Sequence, residues 1–214
     1  MEGYLQLKGM LKKSGWLSII EKFDGHHKEI TKSFSRSFDG MDVEIGDIKF
    51  TVSESSITTE TELPKAGERW FKNKEFHDET WKVILQKPGM DTSIFKRGIP
   101  ISALKDKWSS MLLILQKFIT CEGRYGSMYV YNIILLMNFL KSGTINLPFF
   151  LLNRLRRMST TVQKKIEDIE PYLYHHGLIK ILVEYHLKSA RDRWENFLIK
   201  NVFQDPPELP EEAQ

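Results

Sequence analysis

The sequence predicts a mainly α protein, a multi-helix globular bundle with one small β-hairpin near residues 42–52. Three observations predict this fold class. Apolar residues recur at three- and four-residue spacing along most of the chain, as they do on the buried face of a helix. A convincing two-residue alternation occurs in one place, on either side of a Gly-Asp pair. Hydrophobic residues make up 41% of the 214 residues and aromatic residues 12%, enough to build a sizeable core.

The first forty residues are predicted to form short helices. An apolar cluster between Trp16 and Phe23 is followed by a stop near Gly25. Ile30, Phe34 and Phe38 then recur every four residues, which places them on one stripe of a helix.

The hairpin prediction rests on two alternating runs. Val43 and Ile45 alternate with acidic residues, Gly46-Asp47 makes the turn, and residues 48–52 alternate again. Ser53 follows directly and is expected to cap a short helix that runs through Thr59.

The second half of the chain is predicted to be helical. Helices are expected from Ser102 to about Gly123, from about Ser127 to Lys141, from Pro148 to Ile169, and from His176 to about Asn201. The second of these is apolar nearly all round, which is typical of a central, buried helix. The inward face of the last is expected to hold Leu178, Ile181, Leu182, Tyr185, Trp194, Phe197 and Leu198.

We divide the chain into three segments. Residues 1–87 hold the N-terminal helices and the hairpin, and residues 88–203 form a helical body that shares one core with them. Gly and Pro residues between 87 and 100 mark the expected boundary. Residues 204–214 combine three prolines with acidic residues and are expected to be disordered.

Composition also points to a compartment. There is one cysteine, so no internal disulfide can form. The N-terminus does not read as a secretory signal, and the most apolar stretch, Met128–Leu140, is shorter than the roughly 20 residues of a bilayer span. We therefore expect an intracellular protein, nuclear or cytoplasmic, without membrane contact. The net charge of +3 is compatible with binding a polyanion but does not demonstrate it.

The common catalytic signatures are absent. The sequence contains no GxxxxGK[ST], GxGxxG, GxSxG or HExxH motif, so we expect no catalytic residue and no cofactor. The histidines have no ligand spacing that would hold a metal. Cys121 is expected to be a buried structural thiol, because the neighbouring Glu122 disfavours a thiolate.

A glycine-containing turn offers one candidate site. Gly123, Arg124 and Gly126 could present backbone N–H groups and a guanidinium to an anion. The alternative is a tight interhelical connection in which Gly123 ends a helix. An enzyme with an unfamiliar site near residues 123–127 is the corresponding functional alternative.

Basic residues offer a second candidate site. A nucleic-acid-binding stripe would use Arg154, Arg157, Lys164, Arg191 and Arg193, with the first two on one helix face. Because acidic residues follow in the same helices, an ordinary solvated surface explains the same pattern. Residues 156–159 also have the form of a basic-directed phosphorylation site, with Ser159 as the acceptor.

The order of segments resembles a plant family described as putative plant transposon protein, or retroelement-associated domain. The resemblance is carried by VEIGDIKFTVSESSITTETELPKAGERWF, RGIPISALKDKW, LQKFITCEGRYGSMYVYNIILLMNFL, LPFFLLNRLRRMS and YHHGLIKILVEY, within residues 15–200. These motifs concern packing and turns, so the resemblance implies retroelement ancestry and no active-site residue.

From these observations we expect a non-enzymatic interaction or assembly module of plant retroelement origin. A protein partner or self-association is expected, and nucleic acid is a further candidate partner. The alternatives are a nucleic-acid-binding module that uses the basic stripe, or the enzyme with a site near residues 123–127.

Overall fold

The computed structural model describes residues 2–23, 28–69, 84–86, 99–121, 127–128, 130–142, 144–163 and 175–187. Within these ranges the predicted fold class is confirmed, because the chain is mainly helical with a small antiparallel hairpin. The helices are α1 (Glu2–Lys13), α2 (Leu17–Lys22), α3 (Lys28–Ser37), α4 (Glu54–Thr61), α5 (Asp106–Ile114), α6 (Val130–Ser142), α7 (Leu147–Gln163) and α8 (His176–Leu187).

The hairpin lies where the sequence predicts it, with its turn at Gly46-Asp47. Strand β1 (Asp42–Ile45) pairs antiparallel with β2 (Ile48–Thr51), and Ile45 lies opposite Ile48 across the turn. Gly46 takes φ of 58°, which suits glycine in so tight a connection. Val43 and Ile45 are buried and the acidic residues that alternate with them, Asp42 and Glu44, are exposed, so the two-residue alternation separates the two faces as expected.

The predicted cap of α4 is also confirmed. The Ser53 hydroxyl accepts a hydrogen bond from the backbone N–H of Ser56 at 3.0 Å. In return the Ser53 backbone N–H donates to the Ser56 hydroxyl at 2.8 Å. This reciprocal pair satisfies two N–H groups that the first turn would otherwise leave without partners.

The buried apolar side chains form one cluster that runs from Leu7 in α1 to Leu187 in α8. Helix α8 has a central place in it, because it contacts α3, α4 and β2. The ring of His186 in α8 stacks on Phe50 of β2 at 4.2 Å between centroids. Its Nε2 lies 3.1 Å from Oε1 of Glu60 in α4.

The start of α8 is packed very closely against α2. A Cβ atom placed on Gly177 would lie 2.8 Å from Cα of Phe23 and closer still to the carbonyl oxygen of that residue. Real Cβ atoms do not approach other atoms so closely, so only glycine fits this position without a shift of the backbone. On the neighbouring residue, Nδ1 of His176 lies 3.4 Å from the Thr31 hydroxyl of α3. These contacts fix the N-terminal end of α8.

Three details of the predicted helices are wrong. Residues 127–128 form a short strand, β4, paired with β3 (Ile99–Pro100), so α6 begins at Val130 and not at Ser127. The helix after residue 102 begins at Asp106 and gives way to a π-helix, Leu115–Thr120. The inward face of α8 is formed by Leu178, Ile179, Leu182, Val183 and Leu187, whereas Tyr185 is exposed. The helical spacing of α8 was predicted correctly, but its buried face is rotated about the helix axis relative to the predicted one.

Several predictions lie outside the described residues. These are most of the expected domain boundary, the ends of the last two helices with Trp194, Phe197 and Leu198, and the tail 204–214. Among the helices that are described, none is long and apolar enough to cross a membrane.

Candidate functional site

The candidate site begins at the end of α5. There the chain continues as a π-helix, Leu115–Thr120, and Cys121 follows with φ of 50° and ψ of 28°. A π-helix is rare and often marks a functional position, and a left-handed backbone at a residue other than glycine is uncommon. Two unusual backbone features therefore meet at the only cysteine of the chain.

Cys121 contacts a histidine that is 54 residues away in the sequence. Its Sγ atom lies 3.4 Å from Nδ1 of His175, the residue that immediately precedes α8. The carbonyl oxygen of His175 accepts a hydrogen bond from the Ile179 N–H at 2.9 Å and so belongs to the first turn of that helix. The thiol therefore contacts the residue that immediately precedes the N-terminal end of α8.

The environment of the two side chains differs. Cys121 is half-buried. His175 is only 1% exposed, and its Nε2 has no hydrogen-bond partner within the described part of the chain. A buried imidazole nitrogen without a partner costs about 1–3 kcal/mol, which sets this histidine apart from an ordinary core residue.

Arg154 of α7 supplies a positive charge next to this pair. Its side chain is 2% exposed, and its Nε and Nη2 atoms each donate to the carbonyl oxygen of Thr120 at 3.3 Å. Thr120 immediately precedes Cys121, so the guanidinium is held against the backbone that carries the thiol. Helix α7 therefore brings a permanent cation to the end of the π-helix.

Burial and charge keep His175 neutral. Burial is the main cause that lowers the pKa of His175 from 6.5 to about 3, and the charges of Arg154 and His176 contribute in the same direction. An imidazole with so low a pKa does not hold a proton at neutral pH. The thiolate–imidazolium ion pair of many cysteine enzymes is therefore disfavoured here.

The positive charge of Arg154 disfavours a second positive charge on His175. The same guanidinium donates to the carbonyl oxygen of Thr120, the residue before Cys121. Reactive cysteines lie in partly exposed, positively charged surroundings of this kind. The arrangement can therefore support a thiol that reacts as a nucleophile beside a neutral histidine, with little capacity for general-base catalysis.

The predicted basic stripe is not formed as expected. Arg154 is buried, while Arg157 is exposed, so the prediction that they share one solvent face is wrong. Arg154 shares the buried face of α7 with Leu151 and Leu155. Residues three apart in a helix lie about 60° apart around its axis, which is enough to place Arg157 outside that face. Lys164, Arg191 and Arg193 lie outside the described residues.

Other sequence predictions have mixed outcomes. Gly123, Arg124 and Gly126 lie outside the described residues, so the anion-binding turn stays a prediction. Ser159 is buried and donates a hydrogen bond to the carbonyl oxygen of Phe38 at 2.9 Å, so a kinase cannot reach it in this fold. Cys121 was predicted to be buried, but it is only half-buried. The described residues contain no group of three metal ligands.

Sequence reasoning missed the Cys121–His175 pair. No local motif links two residues so far apart, and the π-helix that orients the sulfur has no distinctive residue pattern. The available signal was weak: one cysteine near the end of a predicted helix, and an unexplained His175-His176 pair just before another.

No family model, curated protein or solved structure matches this chain. The geometry around Cys121 is therefore the basis for a functional proposal.

Proposed function

We propose that this protein is a non-enzymatic interaction module whose contacts with a protein partner are controlled through the thiol of Cys121. The observation that carries the proposal is the 3.4 Å contact between Sγ of Cys121 and Nδ1 of His175, beside the buried guanidinium of Arg154. The retroelement ancestry implied by the sequence resemblance is a separate proposal, which rests on the quoted segments alone.

The low basicity of His175 favours a non-enzymatic role. A general base works best when its pKa is close to the pH of the reaction, and burial holds the pKa of His175 at about 3. A cysteine hydrolase built on this pair would lack an effective base. A thiol that forms one stable or reversible adduct needs no such base, provided that its thiolate is accessible to the reagent.

The position of the pair supports control of binding. His175 is covalently continuous with α8, and α8 contacts α3, α4 and β2. The same helix presents the aromatic ring of Tyr185 at the surface, 37% exposed. Tyrosine is enriched at protein interfaces, so a change at Cys121 that moves α8 would also move a suitable contact residue.

The rate of alkylation of Cys121 tests the proposal. We would measure the second-order rate constant with iodoacetamide between pH 5 and pH 10 by intact mass, for the native protein and for the same protein unfolded in urea. We expect the native thiol to react faster than the unfolded thiol at pH 7. A single ionisation should govern the rate, because His175 stays neutral throughout this range.

Arginine variants separate the local charge from a general effect on folding. Arg154→Met should lower the native rate toward the unfolded value, whereas Arg154→Lys, which keeps the charge, should retain part of the acceleration. Arg157→Met is the matched control, since Arg157 is exposed on the same helix and should leave the rate unchanged. Circular dichroism would establish that each variant is folded. A native rate at or below the unfolded rate would refute the proposal.

Light scattering after size-exclusion chromatography tests the second part of the proposal, that the protein associates with itself or with a protein partner. We expect the untreated protein to self-associate or to retain a partner in a pull-down, and we expect alkylation of Cys121 to change that association. A strict monomer without a partner, in both states, would remove this half of the proposal.

Polyanion binding is a second candidate, favoured by the exposure of Arg156 and Arg157 on α7. Fluorescence anisotropy with labelled single-stranded RNA and duplex DNA should then show binding that weakens steeply with salt. The double variant Arg156→Ala/Arg157→Ala should bind more weakly and with a shallower salt dependence. Unchanged binding would exclude these two residues.

A further inference from the structure

We infer that this protein self-associates head to tail, with the lysine face of α1 in one copy bound to the acidic face of the hairpin in a second copy. The lysine face is formed by Lys8, Lys12 and Lys13, and the acidic face by Asp39 and Asp42. This inference rests on the self-association part of the proposed function. It adds the two surfaces and the chemistry that joins them, and it does not depend on Cys121.

The lysines of α1 lie at the surface without acidic partners. Lys8, Lys12 and Lys13 are exposed, and none of them makes an ion pair within the described residues. Lysines elsewhere in the structure do pair with a glutamate, as in Lys22–Glu62, Lys49–Glu44 and Lys180–Glu184. Lys8 and Lys12 are four residues apart and therefore share one side of the helix. A local excess of positive charge remains on α1.

The carboxylates at the base of the hairpin also lack basic partners. Oδ1 of Asp39 accepts hydrogen bonds from the backbone N–H groups of Asp42 and Met41, each at 2.7 Å. These two hydrogen bonds lower the pKa of Asp39, so its side chain is ionised at neutral pH. Oδ1 of Asp42 accepts from the Thr51 hydroxyl at 2.6 Å. Neither carboxylate forms an ion pair in the part of the chain that the structure describes, so negative charge remains here.

The two carboxylates line a recess that can admit a side chain from another molecule. Its volume is about 410 Å³, and Ser37 of α3 contributes to its wall. Pockets that hold small ligands begin at about 300 Å³, so the recess has room for the side chain of a lysine. Lys49, the base among the lining residues, is paired with Glu44 at 2.9 Å. The recess therefore suits an ammonium group supplied from outside.

The position of the two faces favours a head-to-tail contact. Helix α1 contacts α2 and α5, whereas β1 contacts α3 and β2 contacts α8. The faces thus belong to different parts of the fold. A symmetric dimer through either face alone would place like charges together, which is unfavourable. A contact between unlike faces leaves one of each open on the resulting dimer, so further copies can add.

Sedimentation velocity of the full chain tests the salt dependence of this contact. We would compare about 0.02 M with about 0.5 M sodium chloride, between which the screening length falls from roughly 20 Å to roughly 4 Å. Because the pairs are exposed, the association should be weak. We expect species larger than a dimer at the lower salt concentration and monomer at the higher one.

Neutral variants test the two faces separately. Lys8→Gln/Lys12→Gln and Asp39→Asn/Asp42→Asn should each weaken the association constant by about 2- to 30-fold, because each removes two exposed charge pairs. Asparagine keeps the acceptor oxygen that the turn and the Thr51 hydroxyl use. The matched controls change the same charge elsewhere on the surface and should have no effect: Lys65→Gln/Lys180→Gln and Glu68→Gln/Glu184→Gln. Circular dichroism would establish that each variant is folded.

An equimolar mixture of the two face variants tests the pairing itself. The hairpin variant retains the lysines of α1, and the lysine variant retains Asp39 and Asp42. One intact contact can therefore join one molecule of each. We expect the mixture to associate more strongly than either variant alone and to stop at a dimer, whereas the native chain forms larger species.

The outcomes separate this inference from the proposed function. Self-association that neither face variant weakens would overturn the inference and leave the interaction module in place. Loss of association in the lysine variant alone would overturn the hairpin as the partner surface and assign α1 to another anion, such as nucleic acid. A strict monomer at low salt would overturn the inference. Charge-dependent assembly with an unreactive Cys121 would support the inference and overturn the thiol control in the proposed function.

Discussion

Substitution of Gly177 by alanine should destabilise the protein, although the same change in an exposed helix usually stabilises it. The added Cβ would lie 2.8 Å and 2.9 Å from the Cα and C atoms of Phe23. Carbon atoms pack best at about 3.5–4.0 Å, so α8 and α2 must separate locally by about 1 Å. Such overpacking costs about 1–3 kcal/mol, and the helix propensity of alanine returns about 1 kcal/mol. We expect a net loss of up to about 2 kcal/mol.

Gly9 provides the matched control for this prediction. It lies inside α1, and a Cβ there would meet no atom within 4 Å. Gly9→Ala should therefore stabilise the protein by about 0.5–1 kcal/mol, because glycine loses more backbone entropy on folding than alanine does. The same substitution should therefore lower the unfolding free energy at Gly177 and raise it at Gly9.

Urea denaturation followed by circular dichroism measures both variants. With a slope of about 2 kcal/mol per molar urea, the midpoint should fall by up to about 1 M in Gly177→Ala and rise slightly in Gly9→Ala. Because Gly177 also positions His175, the alkylation rate of Cys121 should change in Gly177→Ala and not in Gly9→Ala. If both variants are stabilised equally, the reasoning about the α2–α8 contact is refuted.

Three further predictions concern stability. The pKa of His175 is about 3 in the folded protein and 6.5 in the unfolded chain, so the unfolded chain binds one more proton between these pH values. The unfolding free energy should therefore fall by up to about 1.4 kcal/mol per pH unit on acidification below pH 6.5. Urea midpoints measured between pH 4 and pH 7 should depend less steeply on pH in His175→Asn than in the native protein. Ser53→Ala should lower the unfolding free energy by about 1 kcal/mol because it removes the cap of α4. Ser55→Ala, at an exposed position of the same helix, should change it by less than about 0.5 kcal/mol. Equal effects of the two substitutions would argue against the cap. Arg154→Met should cost several times more unfolding free energy than Arg157→Met, because it removes two hydrogen bonds to a buried carbonyl, and similar midpoints for both would contradict the burial of Arg154.

The fold was accessible to sequence reasoning wherever local signals were strong. Alternation around Gly46 located the hairpin, and the serine before Glu54 identified the cap of α4. The four-residue spacing of Ile30, Phe34 and Phe38 identified the buried stripe of α3. Each of these features depends on neighbours within a few residues, so the sequence alone contains the necessary information.

The errors arise where tertiary packing decides. Tyr185 was placed inward because its spacing fits a helical face, but the neighbouring elements cover the adjacent stripe formed by Ile179 and Val183. Arg154 was placed on a basic surface stripe because it lies three residues before Arg157 on the predicted helix, yet its buried guanidinium donates to the carbonyl of Thr120. Neither partner could be identified from local spacing.

The candidate site depended almost entirely on the structure. Cys121, Arg154 and His175 come from three separate helical segments, and the left-handed backbone of Cys121 follows from the way the π-helix ends. A single cysteine beside an acidic residue favoured an inert thiol in the sequence. The spatial proximity of a buried cation and a neutral imidazole is what changes that interpretation.

The ratio of native to unfolded alkylation rates of Cys121 at pH 7 tests the central claim most directly. The account predicts a ratio clearly above one, which Arg154→Met reduces and Arg157→Met leaves unchanged. A ratio of one or less, with Arg154→Met indistinguishable from the native protein, would contradict the claim that the surroundings of Cys121 activate its thiol.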